Sequence, residues 1–91
     1  MRTFSRTSQF KKDVKRVEKR GKDMTKLKAV LELLIDGETL PPEFRDHPLR
    51  GDFAGSRDCH LEPDWILIYN LSEKTTHVCF ERTGTHSDLF R

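Results

Sequence analysis

Ninety-one residues, with 17 Lys/Arg, 15 Asp/Glu and 34% hydrophobic residues, define one small domain, 1–91. A chain this short buries roughly 60–65% of its unfolded surface, which excludes a large internal cofactor pocket and makes a shallow cleft the expected form of any site. The net charge of +2 hides an imbalance: residues 6–28 carry 10 Lys/Arg against 3 Asp/Glu, which suits a polyanion partner or a plain solvated helix face.

No apolar run is long enough to span a membrane, and Met1–Ser5 has no signal-peptide core. A cytoplasmic protein without membrane association is therefore expected. Cys59 and Cys79 are read as reduced, packed thiols, too few for a metal framework.

In chain order, Arg2–Ser5 is a short edge strand. Phe10, Val14 and Val17 recur at helical spacing, with Ser5 or Thr7 as cap and Gly21 as stop. The other faces of that helix carry Lys11, Lys12, Lys15, Arg16, Lys19 and Arg20. A second helix starts at Asp23, buries Leu27, Val30, Leu31 and Leu34, and ends at Gly37. The Gly21-Lys22 link is short enough to make the two helices an antiparallel hairpin.

Residues 38–50 form a loop in which Pro41, Pro42 and Pro48 oppose regular pairing and Leu40, Phe44 and Leu49 pin it to the core. Gly51–Ala54 and Ser56–Leu61 are strand candidates. Trp65–Leu71 is the most apolar stretch and reads as a central strand covered on both faces, entered through a Glu62-Pro63-Asp64 turn. Ser72–Lys74 turns the chain into a last strand, Thr75–Arg82, with Val78 and Phe80 on one face. Thr83–Phe90 adds a turn and a single helical turn. The fold class is α+β: an N-terminal strand and antiparallel helical hairpin on a small antiparallel sheet.

His47, His60 and His86 each adjoin a turn, and histidine both gives and takes a proton near neutral pH. Singly, each is an ordinary surface residue; His77, in mid-strand, stays structural. The spacings of 12 and 25 intervening residues match no compact zinc motif, so neither metal nor cofactor is expected. Asp64 either completes its turn or orients a histidine and takes a proton. Trp65 is either core or a platform for a base, and Phe90 is a core plug or a second platform. Arg82 falls by parity on the Val78/Phe80 face, but at the strand end it can lean out to steady charge on a phosphate. These residues make a basic domain with an acid–base cluster, the outline of a ribonuclease.

The strings His47-Pro48-Leu49, Arg57–Tyr69 (RDCHLEPDWILIY) and Arg82–Phe90 (RTGTHSDLF) resemble the YafQ family, toxins of bacterial toxin–antitoxin pairs within the RelE superfamily. The resemblance covers essentially the whole chain. It implies a RelE-like fold, a ribosome-dependent endoribonuclease that cuts messenger RNA, a silencing antitoxin, and a functional set of His47, His60, Asp64, Trp65, Arg82, His86 and Phe90. On that footing the reaction is metal-independent attack of the 2′-OH on the adjacent phosphate. Arg82 steadies the phosphate, His86 is the acid, and His60 or Asp64 is the base, with His47 next in line. Lys11, Lys12, Lys15 and Arg16 then dock ribosomal RNA, and the same surface attracts an acidic antitoxin segment. Two other readings compete: a ParE-type toxin that binds gyrase, and a non-catalytic RNA- or ribosome-binding module in which histidine substitutions are silent.

Overall fold

The apolar run at 65–71 is the middle strand of a five-stranded sheet in the computed structural model, which describes residues 1–72 and 74–90. Glu73, inside the expected Ser72–Lys74 turn, and Arg91 lie outside the described residues. The elements are β1 (Thr3–Arg6), α1 (Ser8–Lys19), α2 (Met24–Ile35), β2 (His47–Pro48), β3 (Arg57–Glu62), β4 (Trp65–Leu71), β5 (His77–Gly84) and α3 (His86–Leu89). Their order across the sheet is β1-β5-β4-β3-β2.

Residues 65–69 of β4 are all at most 1% exposed, because each face of the strand is covered by a different layer. Trp65, Leu67 and Tyr69 join Phe10 and Val17 of α1, Leu27, Val30 and Leu34 of α2, and Val78 and Phe80 of β5. Ile66 and Ile68 point the other way, to Leu89 of α3, with Leu49 and Phe53 alongside. Side chains buried this fully contribute roughly 1.5–3 kcal/mol each, so β4 anchors both layers of the domain. The expected caps hold: Thr7 accepts from the Phe10 N–H, and Asp23 from the Thr25 N–H. Leu40 is buried and Phe44 packs on the main core, as the pinned loop requires. Among the described residues no helix is long and apolar enough to cross a membrane.

Four local expectations are corrected. The sheet is antiparallel except at its edge, where β1 runs parallel to β5. Composition does not set the direction of a four-residue edge strand; backbone bonds from Thr3 N–H to the Thr76 carbonyl and from Thr7 N–H to the Phe80 carbonyl do. Gly51–Phe53 is a 3-10 turn instead of a strand. His47 and Pro48 do pair, with Asp58 and Arg57, because a proline with no N–H to donate is tolerated on an edge strand. Finally, β5 carries a bulge: Tyr69 faces Phe80 while Ile68 faces Arg82, leaving Glu81 as the extra residue. The bulge reverses the parity, so Arg82 leaves the sheet on the Ile66/Ile68 side instead of the Val78/Phe80 side.

Candidate active site

The lightly covered Ile66/Ile68 face collects the polar groups. Cys59 and Leu61 of β3 face the main core, so Asp58 and His60 face the other way. His47 of β2 is paired directly opposite Asp58. α3 begins just past the end of β5 and folds back through Leu89, which carries His86 and Phe90 over the same face. The result is a row of rings. Centroids are 6.1 Å apart for His47–His60, 5.6 Å for His60–His86, 6.1 Å for His86–Phe90 and 5.7 Å for Phe90–Phe53. Phe90 is 40% exposed, so it does not plug the core; its ring lies between His86 and Phe53 with part of its surface open to solvent.

Each histidine is oriented by its neighbours. The His86 backbone N–H and Nδ1 both donate to Asp64 Oδ1, at 2.9 and 2.6 Å. Those two bonds, the backbone one first, hold the Asp64 carboxyl below its ordinary value. Asp64 is thus an orienting acceptor for His86 and a poor proton acceptor. His47 Nδ1 lies 2.7 Å from the Arg45 carbonyl, which can only accept, so the ring carries its proton there. Arg45 adopts a left-handed φ of 50°, which turns the chain into β2. The next residue, Asp46, accepts from Tyr69 Oη at 2.5 Å and from Arg57 Nε at 3.1 Å, tying this loop to β4 and β3.

α3 has only four residues and owes its position to its first turn. Thr85 and Asp88 form a reciprocal capping box, and Asp88 also takes Arg20 Nη1 of α1 at 2.6 Å. The Arg20 guanidinium holds the Asp88 carboxyl well below the usual carboxylate range. Gly84 is required here for close approach: a Cβ on it would meet Asp88 Oδ2 at 2.8 Å.

Not every expected residue reaches the row. The Arg82 guanidinium is held at the β5 edge by Asp13 of α1, through Nε at 2.7 Å and Nη2 at 3.3 Å; Nη1 takes no part. Trp65 is 1% exposed on the helix-covered face, and its Nε1 donates to Thr83 Oγ1. It is a core residue, placed by strand parity on the side opposite His60, with no ring face for a base. Lys11, Lys12 and Lys15 are exposed on α1, away from the imidazoles in sequence and element. Arg16 is half-buried and bonded to Asp13 at 2.9 Å, so its charge is already partly paired, unlike that of the three lysines.

Two buried carboxylates escaped sequence reasoning. Asp13 accepts from Gln9, Arg16, Arg82 and the Thr83 N–H, closing the stretch of β5 edge that β1 is too short to cover. Asp58 is 3% exposed beside the imidazoles. Its signal was available: it lies two residues before His60, hence on the same strand face. Among the described residues, no three His, Cys, Asp or Glu side chains are arranged to hold a metal ion.

Comparison with known proteins places this geometry. Residues 2–91 match the family described as the bacterial toxin of type II toxin–antitoxin system, YafQ. The chain belongs to the YafQ family. It is 52% identical over 90 residues to the mRNA interferase toxin YafQ of Escherichia coli (strain K12), covering 98% of this chain and 96% of that one. The toxin in the Escherichia coli DinJ–YafQ complex superimposes with a TM-score of 0.91 at 50% identity, covering both chains fully. A metal-bound toxin from Helicobacter pylori superimposes with a TM-score of 0.90 at 37% identity, covering 99% of this chain and all of that one. The β-bulge, the short α3 and the imidazole row are therefore features of a YafQ chain in a RelE-like α+β fold.

Proposed function

We propose that this YafQ-family toxin is an endoribonuclease that cuts messenger RNA on the ribosome and is neutralised in the cytoplasm by a cognate antitoxin. The observation that carries the reading is the row of three imidazoles, 5.6–6.1 Å apart, on one open sheet face. RNA cleaves itself when its 2′-OH attacks the adjacent phosphate; the enzyme must take the 2′-OH proton, protonate the departing 5′-oxygen and steady the phosphate charge. An acid–base group contributes roughly 10²–10⁴ in rate and an electrostatic donor about 10²–10³, so two imidazoles and one guanidinium suffice without a metal.

In this mechanism His86, whose Nδ1 is committed to Asp64, presents Nε2 as the acid. His60 or His47 is the base. Arg82, oriented by Asp13, supplies the cation, and Phe90 stacks the neighbouring nucleotide in place of the buried Trp65. Lys11, Lys12 and Lys15 face solvent on α1 and dock ribosomal RNA. Support for the antitoxin comes from the relative crystallised with DinJ.

The test is to add the protein to translating ribosomes and map the new 3′ ends of the message. Terminal 2′,3′-cyclic phosphates are expected, with or without a transition-metal chelator in magnesium buffer. An intact message, or cleavage abolished by the chelator and restored by zinc, would overturn the reading.

A further inference from the structure

Asp58 lies buried beneath the imidazoles and has no task in the proposed mechanism, and its surroundings are unusual. It is 3% exposed, and its Oδ1 is buried without a hydrogen bond of ordinary geometry among the described residues. The other carboxylates around the sheet are satisfied: Asp13, Asp46, Asp64 and Asp88 each accept at least two bonds. A carboxylate left this way costs folding free energy unless a cation balances it. The groups that face it are His47 from β2, His60 from its own strand, His86 from α3, and Asp46 from the loop before β2. Arg82, two strands away in the same cross-strand row, already has Asp13 as its partner. Among the described residues, imidazoles are thus the only facing groups able to carry a balancing proton. His47 is in contact, with Nδ1 3.1 Å from Asp58 Oδ1.

We propose that Asp58 is a positioning residue that, with the Arg45 carbonyl, holds the His47 proton on Nδ1 and so leaves Nε2 bare as the base that takes the 2′-OH proton. This rests on the nuclease reading above and selects His47 over His60 within it. The Arg45 carbonyl accepts the Nδ1 hydrogen at 2.7 Å and the Asp58 carboxylate lies 3.1 Å from the same nitrogen, so its negative charge favours the proton on that side of the ring and leaves Nε2 bare. When Nε2 takes the proton, the imidazolium sits against a buried carboxylate that has no other partner among the described residues, and the new charge is met without rearrangement. Burial works against the anion and raises the Asp58 carboxyl from its ordinary value, while the three imidazoles oppose that rise. The carboxylate is therefore coupled to the protonation of the row and is not merely parked beneath it.

The test reads the ring without RNA and the reaction with it. ¹⁵N NMR of the wild-type protein at alkaline pH should show His47 with the proton on Nδ1; in Asp58→Asn, whose amide can donate to Nδ1, the Nε2–H form should gain at its expense. On translating ribosomes Asp58→Asn should lower kcat about 100-fold with KM within about twofold, in the range of an acid–base role. The acidic limb of its pH–rate profile should move to lower pH, because the proton on the base has lost its counter-charge. Asp58→Glu should recover part of the rate. An Nε2–H His47 in the wild type overturns the proposal, as does an unmoved acidic limb in a folded Asp58→Asn. If Asp58→Asn does not fold, Asp58→Glu decides on the same two readouts: an acidic limb and a His47 tautomer population both identical to wild type would overturn the proposal. Were the wild-type protein to leave messages intact while His47 shows Nδ1–H against Asp58, the nuclease reading would fall and the pairing would stand.

Discussion

At the β5 edge, Asp13 accepts hydrogen bonds from Gln9, Arg16, Arg82 and Thr83; on the open face Asp58, nearly as buried, accepts no hydrogen bond of ordinary geometry among the described residues and has only His47 Nδ1 at 3.1 Å. The two carboxylates show how one small sheet treats charge in two ways. Where every lone pair is matched, burial closes an edge that a strand fails to cover, and the result is rigidity. Where an oxygen is left facing imidazoles, burial produces a charge that responds to a proton. The first arrangement holds the sheet, α1 and Arg82 in register. The second is affordable because β4 beneath it is sealed on both faces.

Substitutions that separate the two regions test this contrast. The largest effect is expected on the open face: His86→Ala should lower kcat by about 10²–10⁴ while leaving the melting temperature close to wild type. Its side chain is 54% exposed and its polar bond is to the solvent-facing Asp64. Unchanged cleavage would remove His86 from the chemistry. On the closed side, Asp13→Ala should cost about 3–5 kcal/mol in a urea melt, because it strands Arg82, Arg16 and the Thr83 N–H together. A loss below about 1 kcal/mol would mean that water replaces the carboxylate and that the network is not a closed one.

The Asp88 clamp gives a pH signature. Its folded-state carboxyl lies below the ordinary value, so the stability it adds is complete above about pH 4 and is lost as pH falls through the depressed value. Wild-type stability should therefore fall below about pH 4 more steeply than that of Asp88→Asn; parallel curves would show that the Arg20 contact is not made in solution. The smallest effect belongs to the exposed cations. Replacing Lys11, Lys12 and Lys15 by Gln should reduce the salt dependence of ribosome binding by a slope of about 2, from three lost phosphate contacts. An unchanged slope would move the docking surface elsewhere.

Much of this was legible before any coordinates. The run from Trp65 to Leu71 announced the central strand, Asp23 announced the second helix start, Ser5 or Thr7 narrowed the first, and the turn-side positions of His47, His60 and His86 pointed to a cluster. What was not legible depends on contacts across the fold. The bulge at Glu81 follows from pairing and moves Arg82 to the other face. Asp13 is buried by partners 69 and 70 residues away. The parity of β4, however, was readable: alternation alone puts Trp65 with Leu67 and Tyr69, under the helices, and the attraction of an aromatic next to Asp64 obscured it.

The central claim is that the imidazole row cuts RNA through the RNA's own 2′-OH. A message carrying a single 2′-deoxynucleotide at the mapped cleavage position, presented on the ribosome, tests it most directly. The account predicts that this message stays whole while its all-ribose counterpart is cut; cleavage of both at the same phosphate would contradict it.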